Sequence, residues 1–154
     1  SSAASDVYKR QELKELDELQ SVHDMENCEA LICCTPTWNT GSDVKRSGTS
    51  WDEHIEAIPT LDCSGKTVAI VGLGDSAAFS KFFCYAMEEL YTAFKKAGGN
   101  LIGHVSGDGY IFDDSKSMID GMFCGLPIDE DNESEKTQER LESWCKQLLS
   151  QVDP

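Results

Sequence analysis

Blocks of apolar residues separated by polar segments predict the strands of this chain. Two continuous apolar runs, Ala30–Thr35 and Thr67–Val71, are bounded by turn residues. Further extended segments follow at Leu101–Val105 and Phe123–Ile128. Continuous runs, in place of strict alternation, are typical of parallel strands that are buried on both faces. The pattern therefore predicts a sheet enclosed between other layers.

Helical periodicity fills the segments between these strands. We predict a helix over Glu12–Met25, a short one over Trp51–Ile58 capped by Ser50, and long ones over Ser80–Ala97 and Glu135–Gln151. The expected buried stripes of the two long helices are Phe83, Met87, Leu90, Tyr91 and Phe94, and Leu141, Trp144, Cys145 and Leu148. Alternation of strands and helices predicts an α/β fold with a parallel sheet and right-handed crossovers.

Candidate binding residues follow two neighbouring predicted strands. Ligands of open α/β sheets bind just beyond the carboxyl ends of the strands. The loop after the first run contains Thr35, Pro36, Thr37, Trp38, Asn39, Thr40 and Gly41. The loop after the second run contains Gly72, Leu73, Gly74 and Asp75, and then Phe79. Such loops would hold a flat aromatic ligand between Trp38 and Phe79.

Four motifs in the same order resemble those of flavodoxins. They are Thr35–Gly41, Gly72–Asp75, Gly109–Lys116 and Gly125–Asn132. The resemblance is to the long-chain form, in which a polar excursion such as Ser106–Met122 interrupts the last strand, and it is strongest to flavodoxins of eukaryotic algae. It implies a flavodoxin-like three-layer sandwich with strand order 2-1-3-4-5. It also implies an FMN-dependent, low-potential one-electron carrier that is not an enzyme.

The resemblance assigns a role to each candidate residue. Trp38 would stack on the flavin, and the Asn39–Thr40 peptide would face its redox-active N5. Phe79 stands where a tyrosine is common, and Phe82 where an asparagine is common, so Phe82 offers no polar contact. The amides of Gly72–Asp75 would meet the pyrimidine edge of the ring. Asp131 would belong to an acidic rim, although a solvated loop is the stronger interpretation of the charge run Asp129–Glu133.

Part of the family pattern is missing from the start of the chain. Flavodoxins have a central first strand and a phosphate loop that resembles Thr-x-Thr-Gly-x-Thr, and nothing before Cys28 matches them. We interpret residues 1–11 as a non-native terminus and 12–154 as an amino-terminally truncated domain, with the first strand absent. The alternatives are a short interaction module without flavin and, more weakly, an FMN-dependent quinone reductase.

Composition limits the kinds of partner and cellular compartment that we expect. A formal net charge of -15 disfavours nucleic acid and anionic membranes and favours basic partners. The resemblance implies a ferredoxin-NADP reductase-like flavoenzyme or photosystem I, a chloroplast stroma (alternatively the cytoplasm), and a monomer when complete. The 7 cysteines include no C-x-x-C pair, which indicates free thiols in place of a metal site. The 3 histidines lie far apart in sequence, so no catalytic motif favours an enzyme over the electron carrier.

Overall fold

The computed structural model describes residues 11–152, so residues 1–10 of the terminus interpreted as non-native lie outside the described part. Short 3₁₀ turns occur at Leu16–Glu18, Val22–Asn27, Ile58–Thr60 and Ser80–Phe82. The α-helices are α1 (Trp51–His54), α2 (Met87–Lys96) and α3 (Glu130–Val152). The strands are β1 (Ala30–Thr35), β2 (Thr67–Leu73), β3 (Asn100–Leu101), β4 (Val105–Ser106), β5 (Met118–Ile119), β6 (Met122–Phe123) and β7 (Leu126–Ile128).

The main sheet is parallel and centred on β2, as the alternation of elements predicts. Along one edge of β2, residues 67–72 pair with the whole length of β1. The other edge pairs first with β3, where Val68 lies opposite Leu101, and then with β7, where Val71 lies opposite Leu126. β3 and β7 therefore continue one strand line, and residues 102–125 form an insertion within it. This insertion carries a small antiparallel sheet in the order β4-β6-β5.

Helices cover both faces of β2, which makes the fold a three-layer sandwich. Val68 and Ile70 point into a cluster that includes Met87 and Phe94 of α2. Ala69 and its neighbours on the opposite face join a second cluster, made of Ala69, Val71, Leu126, Ile128, Trp144 and Leu148. Every residue from Val68 to Val71 is less than a tenth exposed, so the prediction of burial on both faces is correct for β2.

Burial on both faces is wrong for β1. Cys33 and Thr35 are buried on the α2 side, but Ile32 is 60% exposed and Cys34 is exposed as well. Ile32 lies opposite Ala69 in the ladder, on the side that α3 covers further along the sheet. Within residues 11–152 that cover does not reach β1, and β1 has one paired edge.

All four predicted helices differ from the structure: the closing helix begins at Glu130 and not at Glu135, and the other three differ for local reasons. The segment Glu12–Met25 forms two 3₁₀ turns in place of one helix, because Glu15–Glu18 and Ser21–Asp24 each close a capping box. α1 ends at His54, and the Ser50 hydroxyl donates to Asp17 without capping the helix. α2 begins at Met87 because Cys84 has a positive φ of 49°, which interrupts the helix predicted from Ser80.

The buried stripes are only partly as predicted. Phe83, Met87, Leu90 and Phe94 are buried, and Tyr91 packs against them. In α3, Trp144 and Leu148 are buried, whereas Leu141 and Cys145 are exposed. The strand predicted over Leu101–Val105 is broken at Gly103, where φ is +80° and the carbonyl accepts the indole N–H of Trp144 at 2.8 Å. None of the described helices is long and apolar enough to cross a membrane.

A substitution at Gly125 tests the close packing of the chain against β2 at the end of the insertion. A Cβ at this residue would lie 2.3 Å from the Ile70 carbonyl oxygen, so Gly125→Ala must push β7 away from β2. We expect a loss of about 1 to 3 kcal/mol in the free energy of unfolding, measured by urea denaturation. Gly107→Ala is the matched control, because its Cβ would meet only the flexible end of Met118 at 3.3 Å. Equal stability of the two variants would contradict this packing.

Candidate cofactor site

The two predicted loops lie side by side at the carboxyl edge of the sheet. Thr35 at the end of β1 is the register partner of Gly72 in β2. The Thr37 hydroxyl accepts the backbone N–H of Ala86 at 3.1 Å, which joins the first loop to the segment after the second. Gly41 lies against Phe82, whose Cζ would be 3.6 Å from a Cβ at that glycine. The structure therefore brings the loop residues together, as their positions after neighbouring strands predict.

Exposed aromatic rings mark both loops. Trp38 is 74% exposed and Phe79 is 45% exposed, and Leu73 between them in sequence is 41% exposed. Phe82 is half-buried and packs edge-on against Tyr85, with ring centroids 5.6 Å apart. Exposed apolar side chains on loops that follow neighbouring strands are typical of a binding site. The arrangement suits a flat apolar ring.

The first loop is folded back on itself by main-chain hydrogen bonds. Trp38 N–H donates to the Ser47 carbonyl and Asn39 N–H to the Arg46 carbonyl, both at 3.1 Å. The Asn39 carbonyl, which was predicted to face a flavin, accepts the N–H of Ser42 at 3.2 Å. Gly48 has a φ of +68°, and a Cβ there would lie 2.6 Å from the Cβ of Trp38. The loop thus requires glycine beside the exposed indole.

The hydroxyl groups of Thr35 and Thr37 form hydrogen bonds within the protein. The Thr35 hydroxyl donates to the carbonyl of Pro36 at 2.9 Å, and Thr35 is buried. Thr40 is half-buried and next to the exposed Gly41. These contacts leave Trp38 and the adjoining peptide as the outward-facing part of the loop.

The glycines of the second loop serve close packing. A Cβ at Gly72 would lie 2.3 Å from Met87 Cγ, and one at Gly74 would lie 2.8 Å from the backbone nitrogen of Cys84. Gly74 N–H donates to the Ile128 carbonyl at 3.1 Å, so this amide, one of those expected at a pyrimidine edge, already has a partner within the protein. The sheet ladder extends through Gly72 and Leu73 and takes up the start of the loop.

Asp75 shapes the turn that presents Phe79. Its Oδ1 accepts the N–H groups of Ala77 at 3.1 Å and Ala78 at 2.9 Å, and the side-chain amide of Asn132 at 2.8 Å. The Ala78 N–H, followed by the Asn132 amide, holds the pKa of Asp75 below its usual value. The turn is therefore fixed most firmly when Asp75 is ionised.

Asp129 is buried, contrary to the interpretation of Asp129–Glu133 as a solvated loop. It accepts hydrogen bonds from the N–H and hydroxyl of Ser76 and from the N–H of Asn132. The contact with Asn132 caps the start of α3. Asp131 is exposed, and one oxygen from each of Asp75, Asp129 and Asp131 lies within 4.8 Å of the others. Because Asp75 and Asp129 already accept internal hydrogen bonds, we explain the cluster by loop anchoring.

Buried thiols do not supply a nucleophile at this edge. Burial raises the pKa of Cys33 and Cys84, and it raises that of Cys124 to about 12. These groups remain protonated thiols near neutral pH. Burial also lowers the pKa of His104, whose Nε2 is buried without a hydrogen-bond partner.

Comparison with known proteins identifies the family. A sequence model described as Flavodoxin matches residues 3–144. The chain belongs to the flavodoxin family. A flavodoxin from Nostoc sp. (strain PCC 7120) is 37% identical over 130 residues, which are 84% of this chain and 74% of that protein. Flavodoxin 1 of Escherichia coli (strain K12) is 34% identical over 133 residues, 86% of this chain and 73% of that protein.

A solved flavodoxin has the same fold. The crystal structure of Fusobacterium nucleatum flavodoxin bound to flavin mononucleotide has a TM-score of 0.78 to this flavodoxin at 33% sequence identity. The likeness covers 85% of this chain and 76% of that one. The flavodoxin-like α/β fold expected from the sequence is confirmed.

Sequence reasoning missed the residues that anchor the loops of this flavodoxin. Asp129 and Asn132 hold the second loop to α3, and the first loop is held by Asp52 and by the buried Arg46. An aspartate directly before a helix is a capping signal that could have revealed Asp129. Arg46 gives no local signal, because its partners outside the loop, Tyr85 and Glu88, lie about forty residues away, on and before α2.

Asn132→Ala tests the anchoring of the Phe79 turn. The variant removes the amide donor to Asp75, so we expect the pKa of Asp75 to rise toward its usual value. The rise should be partial, because the Ala78 N–H is retained. A carboxyl group whose pKa is lowered by folding stabilises the folded state at pH values above its unfolded pKa. This stabilisation is lost as the pH falls through the folded pKa. The turn of the variant should therefore loosen at a higher pH than in the parent.

The measurement is an NMR titration of Asp75, with amide exchange at Ala77 and Ala78. Ser134→Ala is the control, because it removes a polar group from the same turn of α3. An unchanged pKa of Asp75 in Asn132→Ala would show that the amide does not stabilise the carboxylate.

Proposed function

We propose that this flavodoxin binds FMN at the edge formed by Trp38 and Phe79 and carries single electrons at low potential between redox enzymes. The observation that supports this most directly is the pair of exposed rings on adjacent loops, at the carboxyl ends of neighbouring parallel strands. The FMN-bound Fusobacterium relative, which shares the fold at 33% identity, supports the choice of cofactor.

The described residues fit the ring portion of FMN. Trp38 and Phe79 offer apolar faces, and Gly41 of the first loop lies beside the Phe82 ring. The Asn39 carbonyl accepts one internal hydrogen bond, and its second lone pair remains available to a ring N–H. FMN, when bound, supplies the one-electron chemistry, and the protein tunes it.

Charge around the loops would set the direction of that tuning. Asp75 and Asp131 lie beside the second loop, in a protein of net charge -15. Carboxylates near a bound ring disfavour the addition of negative charge, and so do apolar walls that exclude water. Both effects favour a strongly reducing cofactor, which is the property that a low-potential carrier needs.

We infer a long-chain type, most similar to algal flavodoxins, from the insertion of residues 102–125 in one strand line and from the Thr40–Asp52 segment. The partners proposed on this basis are basic redox enzymes, such as a ferredoxin-NADP reductase-like flavoenzyme or photosystem I. The corresponding compartment is the chloroplast stroma, with the cytoplasm as the alternative. A flavodoxin of this type is proposed to be monomeric.

A second candidate function is an interaction module that holds no flavin. The open side of β1, where Ile32 is 60% exposed, and the engaged amide of Gly74 favour it. A quinone reductase is the weaker alternative, because the long insertion is not part of the pattern that we expect for that family.

Reduction of the purified protein tests the carrier function. We expect a bound-flavin absorption spectrum, negligible NAD(P)H oxidation without a partner, and electron transfer to a basic reductase. Because the protein is strongly acidic, the association rate with that reductase should fall at least about tenfold between low and physiological salt. Absence of flavin would favour the interaction module, and rapid unassisted NAD(P)H oxidation would favour the quinone reductase.

Trp38→Ala tests the position of the ring. Since Trp38 is proposed to touch the isoalloxazine only, the variant should weaken FMN and riboflavin by the same factor, about three- to tenfold. Thermal unfolding of the apoprotein should stay close to that of the parent, because the indole is exposed. Ile111→Ala, at an 83% exposed apolar residue of the insertion, is the control and should leave both affinities unchanged.

The quantities to measure are the two dissociation constants, by quenching of flavin fluorescence, and the apoprotein melting temperature. Unequal losses for FMN and riboflavin would place Trp38 near the phosphate. A melting temperature that collapses while affinity holds would make Trp38 a packing residue.

A further inference from the structure

Arg46 is a buried cation in the middle of an exposed loop. Its side chain is only 7% exposed, although Asp43, Val44 and Lys45 before it are all exposed. Burial of a guanidinium is costly unless its donors are satisfied. The position therefore indicates that the group holds something in place.

The guanidinium connects the loop to the start of α2. Nε and Nη2 donate to the Asp43 carbonyl at 3.1 and 2.9 Å, within the loop. Nη1 donates to the Tyr85 carbonyl at 3.2 Å and to Glu88 Oε2 at 2.7 Å. The guanidinium carbon also lies 4.3 Å from the centre of the Tyr85 ring. A planar fork can serve both directions at once, which a lysine ammonium cannot.

Glu89 holds the main chain at the same place. Its two carboxylate oxygens accept the N–H groups of Lys45 at 2.9 Å and Arg46 at 2.6 Å. Lys45 has a φ of +55°, a conformation that needs support in a residue with a side chain. The loop and α2 are thus joined by charge-assisted hydrogen bonds in both directions.

The anchored residues are the direct partners of the loop that carries Trp38. The Arg46 carbonyl accepts the N–H of Asn39 at 3.1 Å, and the Lys45 carbonyl accepts its side-chain amide at 2.8 Å. On the other side, Tyr85 packs against Phe82, the ring that faces Gly41. Arg46 therefore lies between the supports of both loops.

We propose that Arg46 is a positioning residue for the cofactor: it fixes the Trp38–Asn39 segment relative to the second loop without touching the ring. This inference rests on the proposed function, because the ring that the segment would meet is the flavin. It predicts that loss of the fork weakens flavin binding through increased mobility of the loop, while the core of the sheet is unaffected.

Arg46→Met tests this with a side chain of similar length that has no donors. Lys116→Met is the matched control. Lys116 also lies over the Tyr85 ring, at 5.0 Å, and 3.6 Å from an Asp43 carboxylate oxygen, but its side chain is 46% exposed. Both variants remove one positive charge near Tyr85 and Asp43, and only Arg46→Met removes the guanidinium links between the loop and the start of α2. Arg46→Lys keeps the charge and guards against a variant that fails to fold.

Two quantities are measured for each variant: amide hydrogen exchange at Trp38 and Asn39 in the flavin-free protein, and the dissociation constants of FMN and riboflavin. We expect Arg46→Met to accelerate exchange and weaken both flavins about tenfold. Arg46→Lys should fall between it and the parent, and Lys116→Met should remain within about twofold of the parent.

The inference is overturned if Arg46→Met and Lys116→Met behave alike, or if Arg46→Lys, folded, exchanges and binds as the parent does. It is also overturned if exchange accelerates while flavin affinity is unchanged. A parent protein that binds neither flavin would remove the proposed function and the cofactor role together. The exchange data would then still report whether the guanidinium orders the loop, so the two failures can be told apart.

Discussion

The sheet depends on β2, which is packed on both faces and hydrogen-bonded along both edges. Its two faces contact separate apolar clusters, and its two edges pair with β1 and with the β3–β7 line. Because successive side chains of a strand point to opposite faces, the residues from Val68 to Val71 contribute alternately to the two apolar clusters, while the main chain of the strand forms hydrogen bonds along both edges. The positions of both candidate loops follow from this strand: one loop continues it, and the other continues its paired neighbour.

The sheet sets where the two loops begin, and hydrogen bonds to charged and polar side chains then hold the loops in place. Asp129 and Asn132 attach the Phe79 turn to α3, and Arg46 with Glu89 attaches the Trp38 loop to α2. Arg46 and Asp129 are buried, Glu89 is half-buried and Asn132 is exposed, and each makes at least two hydrogen bonds, whereas the two rings that they present are exposed. Rigid supports beneath exposed aromatic groups are the arrangement that a preorganised binding site requires.

Sequence periodicity predicted the features that are set by residues close in sequence. It failed for features that are set by residues distant in sequence. β2, the core of α2 and the edge on which Trp38 and Phe79 lie followed from local patterns. The exposure of Ile32 did not, because it depends on how far α3 extends over the sheet. The break before Met87 arises from a positive φ at Cys84, a residue that carries no such signal in sequence. The burial of Arg46 depends on residues about forty positions away, so only the folded structure could show it.

The insertion between β3 and β7 leaves and rejoins the sheet at the same edge of β2. Leu101 and Leu126 occupy places only three residues apart along that edge, opposite Val68 and Val71. The strand pairs that set the register lie on either side of the insertion, so the exposed part of the intervening chain can change in length or sequence while both pairs are kept. Evolution is free to remodel the outer surface of this protein at that point, while the strand ends beneath the two loops keep their spacing.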